Sequence, residues 1–161
     1  MEHITIRNIS RRYGQGESAV KALDDVSLDI SKGEVCVILG PSGSGKSTLL
    51  NMIGGLDRVD SGTITVDGLN ITSLNKKQLT DYRRDKLGMV FQAYNLIPEL
   101  NVIENIKVVK DISKDPIDEN ELLSVLGLSS HKTHFPSELS GGQQQRCSIA
   151  RALVKNPALL L

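Results

Sequence analysis

The run EVCVILG, from Glu34 to Gly40, leads directly into GPSGSGKST, from Gly40 to Thr48, and this junction limits the fold more than any other stretch. The run is almost wholly apolar and closes on glycine, so it reads as a strand buried on both faces of a sheet. Gly40, Gly45, Lys46 and Ser47 then fit G-x-x-x-x-G-K-[ST], and KSTLLNMIGGL continues with helical apolar spacing as far as Gly54-Gly55. A buried strand, a glycine loop and a helix in that order point to an α/β core with its ligand chemistry at the strand's carboxyl end. The glycines let successive backbone N–H groups surround an anion, and the helix adds the positive end of its dipole. Lys46 is a mobile point charge suited to β- and γ-phosphates, and the Ser47 hydroxyl is a ligand suited to Mg2+.

The remaining pattern is mixed. HITIRNI (His3–Ile9) alternates like a half-exposed strand, VSLDI (Val26–Ile30) predicts another, and GTITVDG (Gly62–Gly68) predicts a short strand closed by a turn. LTDYRRDKL (Leu79–Leu87) is a charged helical stretch followed by a strand, GMVFQ, ending at Gln92. Residues 102–126 are helical except around Pro116, and GGQQQRCSIARALVK (Gly141–Lys155) is a helix that Asn156-Pro157 stops. ALLL, ending at Leu161, begins what reads as a second fully buried strand. These elements suggest a β-rich and phosphate-loop part over residues 1–92, an inserted helical subdomain over 93–137, and a last helix and strand over 138–161.

A second motif, LSGGQQQR (Leu139–Arg146), places Ser140 and Gln143 at capping-box spacing. Gly141 and Gly142 strip side chains from the first amide donors of that helix. The result is a second anion site, suited to a phosphate arriving from outside.

Composition narrows the partners. Lysine plus arginine number 19 and aspartate plus glutamate number 19, so no global field favours nucleic acid, and none is expected as a partner. The opening MEHITIRNIS lacks the layout of a secretory signal, and no apolar run approaches the roughly 20 residues that span a bilayer. Cys36 and Cys147 are expected to be buried packing residues, and His131 and His134 polar loop residues.

GPSGSGKST, the glutamine ending GMVFQ, and LSGGQQQR stand in the order found in ABC-type ATPase domains, and the whole chain resembles that family. YRRDKLGMVFQAYNLIPELNVIENI further resembles the branch serving lipoprotein release, macrolide export and peptide-antibiotic resistance. The resemblance implies a P-loop NTPase core with an antiparallel β subdomain and an inserted α-helical subdomain. It implies ATP and Mg2+ as ligands, a second copy joined head to tail, and a membrane permease moved by ATP binding and hydrolysis. The expected location is cytoplasmic, peripheral on the inner face of the membrane. Tyr13 would stack on adenine, while Gly40, Pro41, Ser42, Gly43, Ser44, Gly45, Lys46, Ser47 and Thr48 would hold the phosphates. Gln92 would touch Mg2+ and the attacking water, so Lys46 and Gln92 are the catalytic candidates. Ser140, Gly141, Gly142 and Gln143 would contact the γ-phosphate held by the opposite subunit. Ala93 to Glu104 would dock a permease helix, although Tyr94, Leu96 and Ile97 suit a subdomain core equally well.

The family places an aspartate and then a glutamate directly after the apolar strand that follows the signature helix, whereas ALLL is followed by nothing here. Asp67, Glu104 and Glu138 read as turn, helix-surface and loop residues rather than replacements. The expectation is therefore a domain incomplete at its C-terminus, either a fragment of a longer ATPase or a short protein whose partner completes the sheet. Alone it should hydrolyse ATP at or near background. The alternatives are a non-hydrolysing ATP-binding fragment and, from another class, an ATPase head of the chromosome-maintenance or DNA-repair type. Such heads separate the two motifs by long coiled coils, and no sustained heptads lie between Ser47 and Ser140.

Overall fold

The computed structural model describes residues 2–161 and resolves the chain into two compact units, one ending at Thr80 and the other running from Asp81 to Leu161. The first contains a four-stranded antiparallel sheet in the order β2-β1-β3-β4, built from β1 (Glu2–Tyr13), β2 (Val20–Ser31), β3 (Ser61–Val66) and β4 (Leu69–Asn70). Period-two alternation explains its buried face. Ile4 and Ile6 of β1 are buried beside Val66 and Ile64 of β3. Ile9 is buried too, although strict alternation from Ile6 would turn it outward. A register shift between Ile6 and Ile9, with Asn8 at φ 49°, re-aims it inward. The Asp67–Gly68 turn closes β3 onto β4, and Asp67 also pairs with His3 Nδ1 at 2.6 Å. Helix α1 (Lys46–Ile53) buries Leu49, Met52 and Ile53 and stops at Gly54. Helix α2 (Lys76–Asp85) begins in this unit.

Residues 34–40 depart from the expectation of a strand buried on both faces. They form no strand, and Val35, Val37 and Leu39 are 89%, 72% and 86% exposed. Burial on both faces requires flanking strands whose ladders satisfy the backbone, and among the described residues none pairs with this run. Cys36 is consequently exposed rather than buried.

In the second unit, α3 (Val102–Lys110), α4 (Glu119–Val125) and α5 (Gly141–Leu153) enclose a core containing Val102, Ile106, Leu122, Leu123, Leu128, Cys147, Ala150 and Val154. The start of each helix is written in the sequence. Asn101 and Glu104 form a capping box on α3, Asp118 accepts from Asn120 and Glu121 on α4, and Ser140 and Gln143 box α5. Burial pushes the Cys147 thiol up to about 11, as befits a packing residue. Strand β5 (Leu87–Gly88) lies parallel to β6 (Leu159–Leu160), and Val90 N donates to Leu161 O just beyond them. Only this short part of GMVFQ is laddered. Leu160 is 46% exposed and Leu159 half-buried, so ALLL is not the fully buried strand expected. A two-stranded pair has no second neighbour to cover it.

One ion-pair group here has a measurable acid signature. Hydrogen bonds from Arg84 and then Lys114 pull the Asp85 carboxyl from 3.8 to about 2. Because the folded value is depressed, its stabilisation is present above the unfolded value near 3.8 and is lost as pH falls towards about 2. Lys114 is 73% exposed, so solvent screening limits the gain to about 1 kcal/mol. Asp85→Asn is expected to cost that amount in urea denaturation at pH 7 and to converge on the parent protein only below pH 2.

Candidate functional site

The phosphate-loop residues sit at the head of α1. Gly45 is the N-cap at φ 87°, a left-handed conformation suited to glycine. A Cβ placed there would meet Ala22 O of β2 at 2.3 Å, so the loop is seated on the strand through the missing side chain. Gly45→Ala is expected to cost about 2 kcal/mol from strain and displacement together, visible as an earlier urea transition. Lys46 folds back over the loop, with Nζ donating to Gly40 O at 2.9 Å, Pro41 O at 2.8 Å and Ser44 Oγ at 3.3 Å. The ammonium is thereby held within the curve of the loop. Pro41, Ser42, Gly43, Ser44 and Ser47 are exposed and Thr48 is half-buried, so the loop's outer surface is open to solvent.

Tyr13 is the last residue of β1 and pairs with Val20. Val20 lies two residues, about 7 Å along the strand, from the Ala22 that seats Gly45, so one hairpin end carries both the aromatic residue and the loop. The ring is fixed by neighbours. Its hydroxyl donates to Asp57 Oδ2 at 2.8 Å, and the Arg11 guanidinium carbon stands 4.7 Å from its centroid. Arg11 also donates twice to Asp57 at 3.1 Å and once to Asp60 at 2.8 Å. Partial burial resists ionisation of Asp57, but the Tyr13 hydroxyl, the Arg58 N–H and Arg11 outweigh it and hold the carboxyl below its usual value.

In the second unit, Gln92 is exposed beyond β5. The segment after it is clamped to α5: Ser148 Oγ and Arg151 donate to Tyr94 O, and Arg151 also reaches Asn95 O. Tyr94 and Asn95 both have left-handed backbones, at φ 59° and 51°. The Tyr94 hydroxyl ends 3.6 Å from where a Cβ on Gly141 would lie, bringing the post-Gln92 segment to the signature motif. Leu96 packs on the helical core while Ile97 is 37% exposed, which divides the apolar residues of that segment between core and surface.

At the signature, Ser140 N donates to Gln143 Oε1 at 2.7 Å and Gln143 N to Ser140 Oγ at 3.3 Å. Gly141 and Gly142 are exposed on the first turn of α5. Two contacts here escaped the sequence. Gln143 Nε2 donates to His131 Nε2 at 3.0 Å, so His131 is more than a polar loop residue. Asn105, fully buried, donates to Ile97 O, Leu100 O and Asn101 O and accepts from Ile97 N, holding the loop before α3. A buried asparagine on a helix face otherwise apolar was the available signal.

Comparison with known proteins places these features in context. A family model described as ABC transporter matches residues 23–161. A putative ABC transporter ATP-binding protein of Mycoplasma pneumoniae is 44% identical over 163 residues, covering 99% of this chain and 35% of the relative. The ABC transporter ATP-binding protein YtrE of Bacillus subtilis is 45% identical, covering 98% of this chain and 72% of YtrE. The macrolide export ATP-binding/permease protein MacB of Mannheimia succiniciproducens is 44% identical over all of this chain and 26% of its own length. The chain thus spans about a third of the mycoplasma relatives it matches. Among solved structures, the dimeric bacterial ABC transporter cassette MJ0796 superposes with a TM-score of 0.89 at 41% identity, covering 98% of this chain and 72% of that one. A second MJ0796 dimer, described as a post-hydrolysis state bound to ADP and Pi, gives 0.88 at 40% identity.

Proposed function

We propose a function from one premise: the chain belongs to the ABC transporter family. On that footing it is an ATP-binding subunit that joins a second copy head to tail around ATP and drives a membrane permease. The observation that carries this reading is the start of α5, where Ser140 and Gln143 cap the helix and Gly141 and Gly142 stand exposed on its first turn with no side chains of their own. Such an end is an anion site built for a ligand presented from outside.

Each residue has a task in this reading. The loop from Gly40 to Thr48 wraps the phosphates, and Lys46 exchanges its bonds to Gly40 O and Pro41 O for β- and γ-phosphate oxygens. Tyr13 stacks on the base, beside the loop to which its hairpin is joined. Ser47, exposed in the first turn of α1, offers a hard oxygen of the kind Mg2+ takes, and it is the loop residue that would hold that ion. Mg2+ would neutralise charge developing on the phosphates. Gln92, exposed in the turn beyond β5, presents its amide to metal or water. Signature residues Ser140 to Gln143 cover the γ-phosphate of the partner copy's nucleotide.

Among the described residues no helix is long and apolar enough to cross a membrane. The MacB relatives carry the words ATP-binding and permease in one name, and this chain takes the ATP-binding role beside a permease at the inner membrane face. The test is the chain's mass in solution with and without ATP and Mg2+. The reading expects a shift from one copy to two that ADP does not support. No detectable ATP binding, or binding without association, would sink it.

A further inference from the structure

We propose that Asp57 and Arg11 are positioning residues for the nucleotide base, acting through Tyr13. This rests on the reading that Tyr13 stacks on adenine. A terminal strand tyrosine 39% exposed would normally sample several rotamers, and ordering it on binding would weaken affinity. Here the ring is ordered beforehand. Its hydroxyl is tied to Asp57 Oδ2 and its face is occupied by Arg11, whose guanidinium is held in turn by Asp57 and Asp60. Asp60 also accepts from Arg12 N at 2.7 Å, fixing the strand one residue before Tyr13. Asp57 N donates to Asn51 O of α1, so the helix that begins at the phosphate loop also anchors the carboxylate.

Two consequences follow from the chemistry. With Arg11 against one face, the base has a single face of Tyr13 on which to stack, which sets the side from which it enters. The second is that a ring already held by Asp57 and Arg11 gives up little rotamer freedom when the base stacks on it. The carboxylate is needed as acceptor and counter-ion together: it takes the phenol proton's hydrogen bond and keeps Arg11 in place. Asp57 and Arg11 therefore touch no part of the nucleotide themselves.

The experiment compares ATP with inorganic tripolyphosphate, which presents phosphates without a base, on the purified chain. Tyr13→Phe removes only the hydroxyl tether, while Asp57→Ala removes tether and counter-ion. Both are expected to weaken ATP about three- to ten-fold while leaving tripolyphosphate unchanged, the range set by ordering one side chain. Asp57→Asn, which keeps an oxygen acceptor for the phenol, should recover part of the loss. Tyr13→Ala is the control for the underlying reading. If it leaves ATP affinity intact, Tyr13 does not carry the base and the proposal falls with that reading. If Tyr13→Ala weakens ATP while Tyr13→Phe and Asp57→Ala do not, the proposal alone is overturned. Equal weakening of ATP and tripolyphosphate by Asp57→Ala, with Tyr13→Phe silent, would assign Asp57 to loop structure and likewise overturn it.

Discussion

Lys46→Ala is expected to weaken ATP binding by about 100-fold while leaving the fold's stability within about 0.5 kcal/mol. The two halves of that result have different causes. In the structure Nζ donates to Gly40 O, Pro41 O and Ser44 Oγ, all on an open surface where water replaces a lost donor at little cost. The loop keeps its path, because Gly45 rests on Ala22 and not on the lysine. A bound triphosphate has no such substitute, since hydrogen bonds from a cation to phosphate are worth about 1.5–3 kcal/mol each. Lys46→Arg should not restore binding, because a planar guanidinium cannot enter the curve that a compact ammonium occupies. Calorimetric titration with ATP and parallel urea curves separate the two quantities. Unchanged ATP affinity in Lys46→Ala would remove the loop from the nucleotide site.

What could be read from the sequence follows from how local each signal is. The start of α5 was legible because a cap is written within four residues: Ser140 with Gln143 appears in the structure as a box. Asn101 with Glu104, read beforehand only as the edge and surface of a helical stretch, forms another of the same spacing. The Asp67–Gly68 turn was legible for the same reason, and Cys147 fell in a helical pattern whose inner face is the core. The run from Glu34 to Gly40 shows where this stops. Apolar composition says that a segment favours burial, but burial in a sheet depends on neighbours that composition does not name, and Val35 and Leu39 stand exposed. Strand β5 is similar, since its ladder extends only as far as β6 accompanies it. The site divides along the same line. Its glycines and Lys46 announced themselves by spacing, whereas the hold of Asp57 and Arg11 on Tyr13 joins residues 44 and two positions away. The contact between His131 and Gln143 likewise depends on a loop returning to its own helix. No periodicity encodes such meetings.

Gly142→Asp is expected to abolish ATP-driven pairing, reducing association by about 100-fold or more, while each copy still folds and still binds ATP through its own loop. Space for the new side chain exists, because a Cβ on Gly142 would find only Arg146, 3.6 Å away. An acid in the first turn of α5 is also favourable to the helix by about 0.3–1 kcal/mol through the dipole. The same carboxylate would face the γ-phosphate brought by the partner copy. Two such charges about 4 Å apart at a partly buried interface repel by about 4 kcal/mol for each pair of unit charges, far more than the helix gains. Stability and association should therefore move in opposite directions, which a merely damaged fold cannot produce. Mixing the variants sharpens the test. Gly142→Asp retains its loop and Lys46→Ala retains its signature, so a head-to-tail pair of the two has one sound composite site and one doubly defective one. Neither variant should associate alone with ATP, whereas the mixture should recover pairing with a single nucleotide held. If Gly142→Asp instead weakens ATP binding by the isolated copy and mixing restores nothing, the signature serves its own loop, and the head-to-tail arrangement is wrong for this chain.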